Sequence, residues 1–308
     1  MTRKEAIFRP EDTAFVIYLV TVAVLVTLFH QGVEKWWTYV MIHSIAAGLI
    51  VPWLRYSTGH SHPVVRFLRY WYIPIVLGFF YEQIEGYILG IHGMYLDHLI
   101  IEFEMALFGF HPSVWLERFV SPPLTEIMKI SYNSYYWIGP ILGFSLYFRR
   151  EFIAFRRTVF SIVTAFFISY LGFYLFPVVG PRYMLSDLYK GPLEGYVVTA
   201  LQDFIMEVGD IYGGCMPSSH VAVALVVLLL AWVYRKRMAA WMTPFVIMLF
   251  ISTVYNRYHY VSDVVAGVAV GLFAFWLGKV VYGKIPEGER VNGHGSVGAW
   301  EHGGGEHE

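Results

Sequence analysis

The stretch Tyr255-Asn256-Arg257-Tyr258-His259-Tyr260-Val261-Ser262-Asp263 leads without a break into Val264-Val265-Ala266-Gly267-Val268-Ala269-Val270-Gly271-Leu272-Phe273-Ala274-Phe275-Trp276. Residues 262–282 make an apolar run long enough to cross the roughly 30 Å of hydrocarbon in a bilayer. The polar side chains of the quoted stretch all stand at its head. A membrane span with a cluster of ionisable groups at one end decides the fold class, and the rest of the chain repeats the pattern.

Seven further runs of spanning length lie near residues 13–30, 37–54, 71–90, 130–148, 158–176, 218–234 and 239–256. The expected architecture is therefore an all-α integral membrane protein, a polytopic bundle of about eight transmembrane helices. Composition agrees: 57% of the 308 residues are hydrophobic, 15% are charged and the mean hydropathy is +0.52. A soluble domain carries roughly 25% charge. The 24 Phe, 23 Tyr and 10 Trp suit aromatic belts between hydrocarbon and headgroups. A net charge of -1 implies no attraction to nucleic acid. The single cysteine, Cys215, rules out an intramolecular disulfide and a thiolate-cluster metal site, and reads as a small packing residue. The first apolar run lacks a small-residue cleavage site and reads as a retained helix rather than a signal peptide. No internal repeat of repeat-protein length is found.

Basic residues set the orientation. With the N-terminus inside, the inner segments hold 16 of the 22, among them Arg66, Arg69, Arg149, Arg150, Arg235, Lys236 and Arg237. The outer segments keep Lys35, Arg118, Lys129, Arg182, Lys190 and Arg257. Both termini are expected to be cytoplasmic. Two outer connections are long, as functional loops tend to be. The first, 91–129, alternates charge with bulk around Asp97, Glu102 and Phe103 and contains Pro112, Pro122 and Pro123, a pattern expected for amphipathic helices lying in the interface. The second, 177–217, must turn repeatedly at its glycines and prolines. Three regions follow: N-terminal spans and interfacial segment (1–129), a core (130–285), and a polar tail (286–308). The tail carries His294, His302 and His307 among glycines, a composition that fits disorder better than metal binding.

Three stretches carry candidate chemistry, and the charge bias places all of them on the same outer face. Cys215-Met216-Pro217-Ser218-Ser219-His220 precedes the sixth span. Proline suits a first helical position, serines cap, and free N–H groups at a helix start bind anions, with a histidine there able to protonate a leaving group. The plainer reading is a helix start with an interfacial histidine. His259 and Asp263 are four apart and share a helical face, so the carboxylate can hold one ring nitrogen and leave the other as a nucleophile. The plainer reading is a buried pair that locks two helix ends. Arg182, in Phe176-Pro177-Val178-Val179-Gly180-Pro181-Arg182, offers a planar fork for phosphate, or is simply solvated. Glu82 and Glu85, three apart in the third span, are functional candidates because burying carboxylates is costly. They serve either headgroup recognition or a structural pair with Arg182 or Arg257. A zinc or iron site built from His220, His259 and Asp263 is a further possibility that a chelator would expose.

The chain resembles the type-2 phosphatidic acid phosphatase superfamily, whose motifs run K-x6-R-P, P-S-G-H and S-R-x5-H-x3-D, over roughly residues 130–280. Pro217, Ser218 and His220 match the second motif, with Ser219 where glycine usually stands. His259 and Asp263 match the third, and Arg182 the first. The resemblance implies a phosphatidic-acid-phosphatase-like core in the last five spans, the first three forming an added cap or lipid-facing wall. It implies His259 as nucleophile, Asp263 as its orienting partner, His220 as acid, and Arg182, Ser218 and Ser219 as phosphate cradle, with no metal or cofactor. Leu175 and Thr253 stand where the family has lysine and arginine, and Tyr183 follows Arg182 in place of proline. These departures resemble the inositol phosphorylceramide synthase branch, as do Leu107-Phe108-Gly109 and Pro112, and Arg257 is placed to replace the missing arginine. The expected partners are a phospholipid donor, a lipid or water acceptor and the bilayer itself, with the site on the non-cytoplasmic face. The expected activity is lipid phosphotransfer. A lipid phosphate phosphatase and a non-catalytic transporter or lipid-binding protein of the same fold are the alternatives, although an ionisable cluster confined to one face argues against a transport path through the midplane.

Overall fold

The computed structural model describes residues 7–209 and 211–283, so the expected tail at 286–308 lies outside the described residues. The chain begins with α1 (Pro10–Leu28), α2 (Trp36–Ser57) and α3 (Pro63–Ile84), the first and third started by a proline whose missing N–H costs nothing there. The first long connection holds α4 (Asp97–Phe108), the single turn α5 (Pro112–Trp115) and α6 (Pro122–Asn133). Its prolines are helix starts, and α4 meets the segment ending at Phe119 at a 61° bend. Then follow α7 (Tyr135–Phe148), α8 (Phe152–Leu175), the turn α9 (Pro181–Met184), α10 (Val197–Gly209), α11 (Ser219–Tyr234), α12 (Lys236–Tyr255) and α13 (Val261–Gly283).

Among the described residues six helices, α1, α2, α3, α8, α12 and α13, are long and apolar enough to cross a membrane. The remaining two of the eight expected spans are shorter. At 1.5 Å per residue, α11 with its 16 residues reaches about 24 Å. The run expected at 130–148 breaks near Ser134, leaving the 14-residue α7 with about 21 Å.

Helix α8 is the axis of the bundle. It packs against α1, α3, α7, α11 and α13, and 67% of its apolar window is buried, as suits a helix that is apolar on nearly every face. On one flank Tyr18 of α1 stacks on Phe167 of α8 at 4.4 Å, with Phe80 of α3 edge-on to Phe15. On the other, α13 lies against α11 through Gly267 and Gly271. A Cβ at Gly267 would come within 2.6 Å of the Ser218 carbonyl, and one at Gly271 within 2.7 Å of the Ala222 carbonyl. Two glycines four apart let the backbones touch, and this closeness brings the start of α13 beside the start of α11.

The two ends of the bundle differ. At one end a buried ionic knot joins the helices: Asp12 takes a bidentate pair from Arg69 and a bond from Tyr72, while Glu11 accepts from Arg156 and Tyr282. Arg69 and Arg156, which read as loop charges in the sequence, are thus helix residues with partners. The opposite end carries the starts of α11 and α13, the ends of α8 and α12, and the three candidate stretches.

Candidate active site

The site rests on one buried carboxylate and one thiol that tie three loops together. After α8 the chain runs extended, and Val178 pairs with Gly214 in a single parallel bridge. Asp97, fully buried at the start of α4, accepts from Val179 N and Gly180 N at 2.9 Å each and from the Tyr260 hydroxyl at 3.0 Å. Cys215 donates through Sγ to the carbonyls of Val179 (3.0 Å) and Tyr258 (3.4 Å). It is therefore a cross-loop donor as well as the small packing residue its sequence context indicated. Gly180 stands at φ +103°, and a side chain there would meet the Tyr258 carbonyl at 2.6 Å. Arg182 N in turn donates to the Arg257 carbonyl at 2.8 Å. The loops bearing Arg182, Ser218 and His259 are thereby held in register.

Within this frame the two histidines face each other. His259, the first of them, is buried, with Nδ1 3.4 Å from Oδ2 of the fully buried Asp263. That is ion-pair range but longer than a good hydrogen bond, and among the described residues Nδ1 has no other hydrogen-bond partner. Asp263 is itself fixed by Tyr260 N at 2.9 Å. The ring of His220 lies 5.9 Å from that of His259, centroid to centroid. It is packed by Tyr135 at 4.3 Å and Tyr132 at 4.7 Å, and its Nε2 pairs with the Tyr132 hydroxyl at 2.9 Å. Ser218 caps α11 through Oγ, which accepts from Val221 N, while its own N donates to the Asp263 carbonyl at 3.0 Å. Ser218 and Ser219 are both buried at that helix start, where unbonded N–H groups favour an anion.

The cations are arranged less simply. Arg182, half-buried, has no carboxylate partner among the described residues, and its guanidinium lies near the Tyr183 and Tyr258 rings. Arg257 is committed elsewhere: it pairs with Glu117 at 2.8 Å, donates to the Gly191 carbonyl at 2.8 Å and sits 3.9 Å over the Tyr189 ring. Thr253, at the family's arginine position, is fully buried and its carbonyl accepts from Tyr258 N and His259 N. Leu175, at the family's lysine position, points outward with 51% of its surface exposed. Sequence reasoning missed the lysine that does reach this region. Lys129 of α6 is 3% exposed, donates to the Tyr258 hydroxyl at 2.8 Å and pairs with Asp203 of α10 at 2.7 Å. Burial pulls its ammonium below the ordinary lysine range, as do the charges of Arg182 and Arg257, while Asp203 holds it up. Its place 46 residues before any family motif position left no spacing signal. The only hint was a lone basic residue beside an apolar run.

Glu82 and Glu85 lie at the site end of α3 and are both exposed, and the partner of Arg257 is Glu117 rather than either of them. A three-ligand grouping does occur: ligand atoms of Cys215, His259 and Asp263 lie within 4.8 Å of one another. The thiol there is occupied as a donor to two carbonyls, whereas a metal ligand must be a thiolate.

No solved structure matches this chain. A PA-phosphatase related-family protein of Dictyostelium discoideum is similar, with 25% identity over 190 residues, which cover 53% of this chain and 33% of that protein. The chain thus spans about a third of the length of the curated relative it matches. The profile of the PAP2 superfamily matches residues 98–277. Because that match takes in more than half of the chain, including Arg182, His220, His259 and Asp263, the chain belongs to the PAP2 superfamily.

Proposed function

We propose that this protein is a membrane lipid phosphotransferase working through a phosphohistidine. Membership of the PAP2 superfamily supports phosphatase or phosphotransferase chemistry on lipids. In the proposed reaction Nε2 of His259 attacks the phosphorus of a phospholipid, the P–O bond to the departing alcohol breaks, and His220 gives that alcohol a proton. An acceptor hydroxyl then attacks the phosphohistidine, returning its proton to His220 and freeing His259. Asp263 holds the nucleophilic ring, and Arg182 with the start of α11 takes the phosphate charge. The residues require no metal, so turnover is expected to persist in chelator.

The observation that carries the choice of transfer over hydrolysis is the charge balance. Of the three cations near the histidines, Lys129 is neutralised by Asp203 and Arg257 by Glu117, which leaves Arg182. A phosphodiester lipid brings one negative charge, whereas a phosphomonoester brings close to two at neutral pH. Unbalanced charge in a site of low dielectric costs several kcal/mol, and about 1.4 kcal/mol is a factor of ten in rate. Phosphatidylinositol offered with a hydroxylated lipid acceptor is therefore expected to be used at least about tenfold better by kcat/KM than phosphatidic acid. Purified protein in nanodiscs, with transferred headgroup and free phosphate followed separately, is the test. Hydrolysis of phosphatidic acid with no diester consumed would sink the transferase reading.

One feature favours the runner-up, a lipid phosphate phosphatase. Asp203 is 57% exposed, so a dianionic headgroup able to displace it from Lys129 would find a second positive charge. The name of the Dictyostelium discoideum relative, a PA-phosphatase related-family protein, points the same way.

A further inference from the structure

A cleft of about 380 Å³ begins at His220 and runs into the bundle between α3, α7 and α8. Its size lies in the range of small-ligand sites. Near the histidine its walls carry Ser219, Tyr132 and Tyr135; beyond them the lining is mostly apolar, with Thr158 and the tyrosines Tyr81, Tyr136 and Tyr170 among aliphatic and aromatic side chains. Along α8 it extends from Tyr170 to Phe155, about 22 Å at 1.5 Å per residue. That is more than half of the roughly 30 Å hydrocarbon thickness.

The cleft opens sideways. Helices α3 and α7 both lean on α8 and meet through rings at the end far from the site, where Trp71 stacks on Phe144 at 4.5 Å and Phe67 and Tyr70 meet Tyr147. Towards the site the lining residues Gly78 of α3 and Pro140 of α7 are exposed on either side of the gap. Each wall helix carries an interior proline within about a turn of a lining glycine, Pro74 with Gly78 and Pro140 with Gly139 and Gly143. A Cβ at Gly78 would meet nothing within 4 Å, and one at Gly139 only the edge of Val227 at 3.9 Å. An apolar slot open to the bilayer and ending on a reactive histidine fits a hydrocarbon chain attached to a headgroup held at that histidine.

We propose that this cleft binds one long acyl chain of the lipid substrate, entering sideways between α3 and α7, so that a helix outside the matched superfamily segment measures the chain. The inference rests on the lipid-substrate reading above. Its recognition is by dispersion and burial alone, and filling the slot is expected to select against long chains without touching the histidines.

The test uses phosphatidylinositol with a diazirine at the end of one acyl chain, irradiated with the full-length protein in nanodiscs, followed by peptide mapping. Label is expected on lining residues such as Tyr81, Trp71 and Phe155. Gly78→Phe, and independently Gly139→Leu from the opposite wall, should lower it at least about tenfold, equivalent to 1.4 kcal/mol of chain binding. Both variants should keep the wild-type elution volume and melting behaviour. Label confined to the membrane-facing Ile75 and Phe79, or lining label unchanged in both variants, overturns the proposal. Labelling needs no turnover, so a labelled slot in a protein that transfers nothing would refute the reaction and leave the slot standing.

Discussion

Asp97 is the position where a single change should test how the site is built. Its carboxylate is fully buried and holds three donors, Val179 N, Gly180 N and the Tyr260 hydroxyl, at 2.9 to 3.0 Å. Hydrogen bonds to an ionised acceptor contribute about 1.5–3 kcal/mol each, and a buried donor left unpaired costs about 1–3 kcal/mol. Asp97→Ala strands all three donors, so a loss of at least about 3 kcal/mol is expected. Asp97→Asn keeps one oxygen for two of the donors but turns its amide towards the third and loses the charge, which places it between Ala and wild type. Because Arg182 hangs from the loop that Asp97 holds, both changes should also lower kcat/KM for lipid phosphorus chemistry, Ala by more than tenfold. Glu102→Ala, an exposed carboxylate on the same helix, is the control and should stay within about 0.5 kcal/mol. The assay is thermal unfolding in detergent by tryptophan fluorescence, alongside turnover in nanodiscs. If Asp97→Ala melts and turns over like Glu102→Ala, the view that this carboxylate organises the site is refuted.

His259→Ala and His220→Ala should each remove nearly all turnover while the protein still assembles. Asp263→Asn should cost on the order of 10²–10⁴ in rate through loss of ring orientation; activity within a few fold of wild type in any of the three would contradict the assigned roles. Topology is checked by single cysteines at Lys190 and Lys236, both exposed and on opposite sides of α11, in a Cys215→Ser background. An impermeant thiol reagent should reach them from opposite faces of a sealed vesicle, and labelling of both from one face would overturn the expected orientation.

Some of this protein is legible in one dimension because the physics involved is local. An apolar run of spanning length is a statement about neighbours in sequence, so the helical membrane bundle followed from the chain alone. The meeting of His259 with Asp263 was legible from their spacing, although His259 stands two residues ahead of α13 and reaches Asp263 from the loop rather than along a helical face. The capping role of Ser218 follows from local chemistry at a helix start. What the sequence could not say is which charges balance which. Arg257 reads as a spare phosphate ligand until the fold sets Glu117, 140 residues away, against it. Lys129 reads as a loop charge until α6 and α10 bring it, Tyr258 and Asp203 together. Asp97, Cys215 and the slot between α3 and α7 likewise exist only as meetings of distant segments. The physical reason is common to all of them: Coulombic pairing, satisfaction of buried donors and cavity shape depend on distances through space, and those are set only by the packing of the helices against one another.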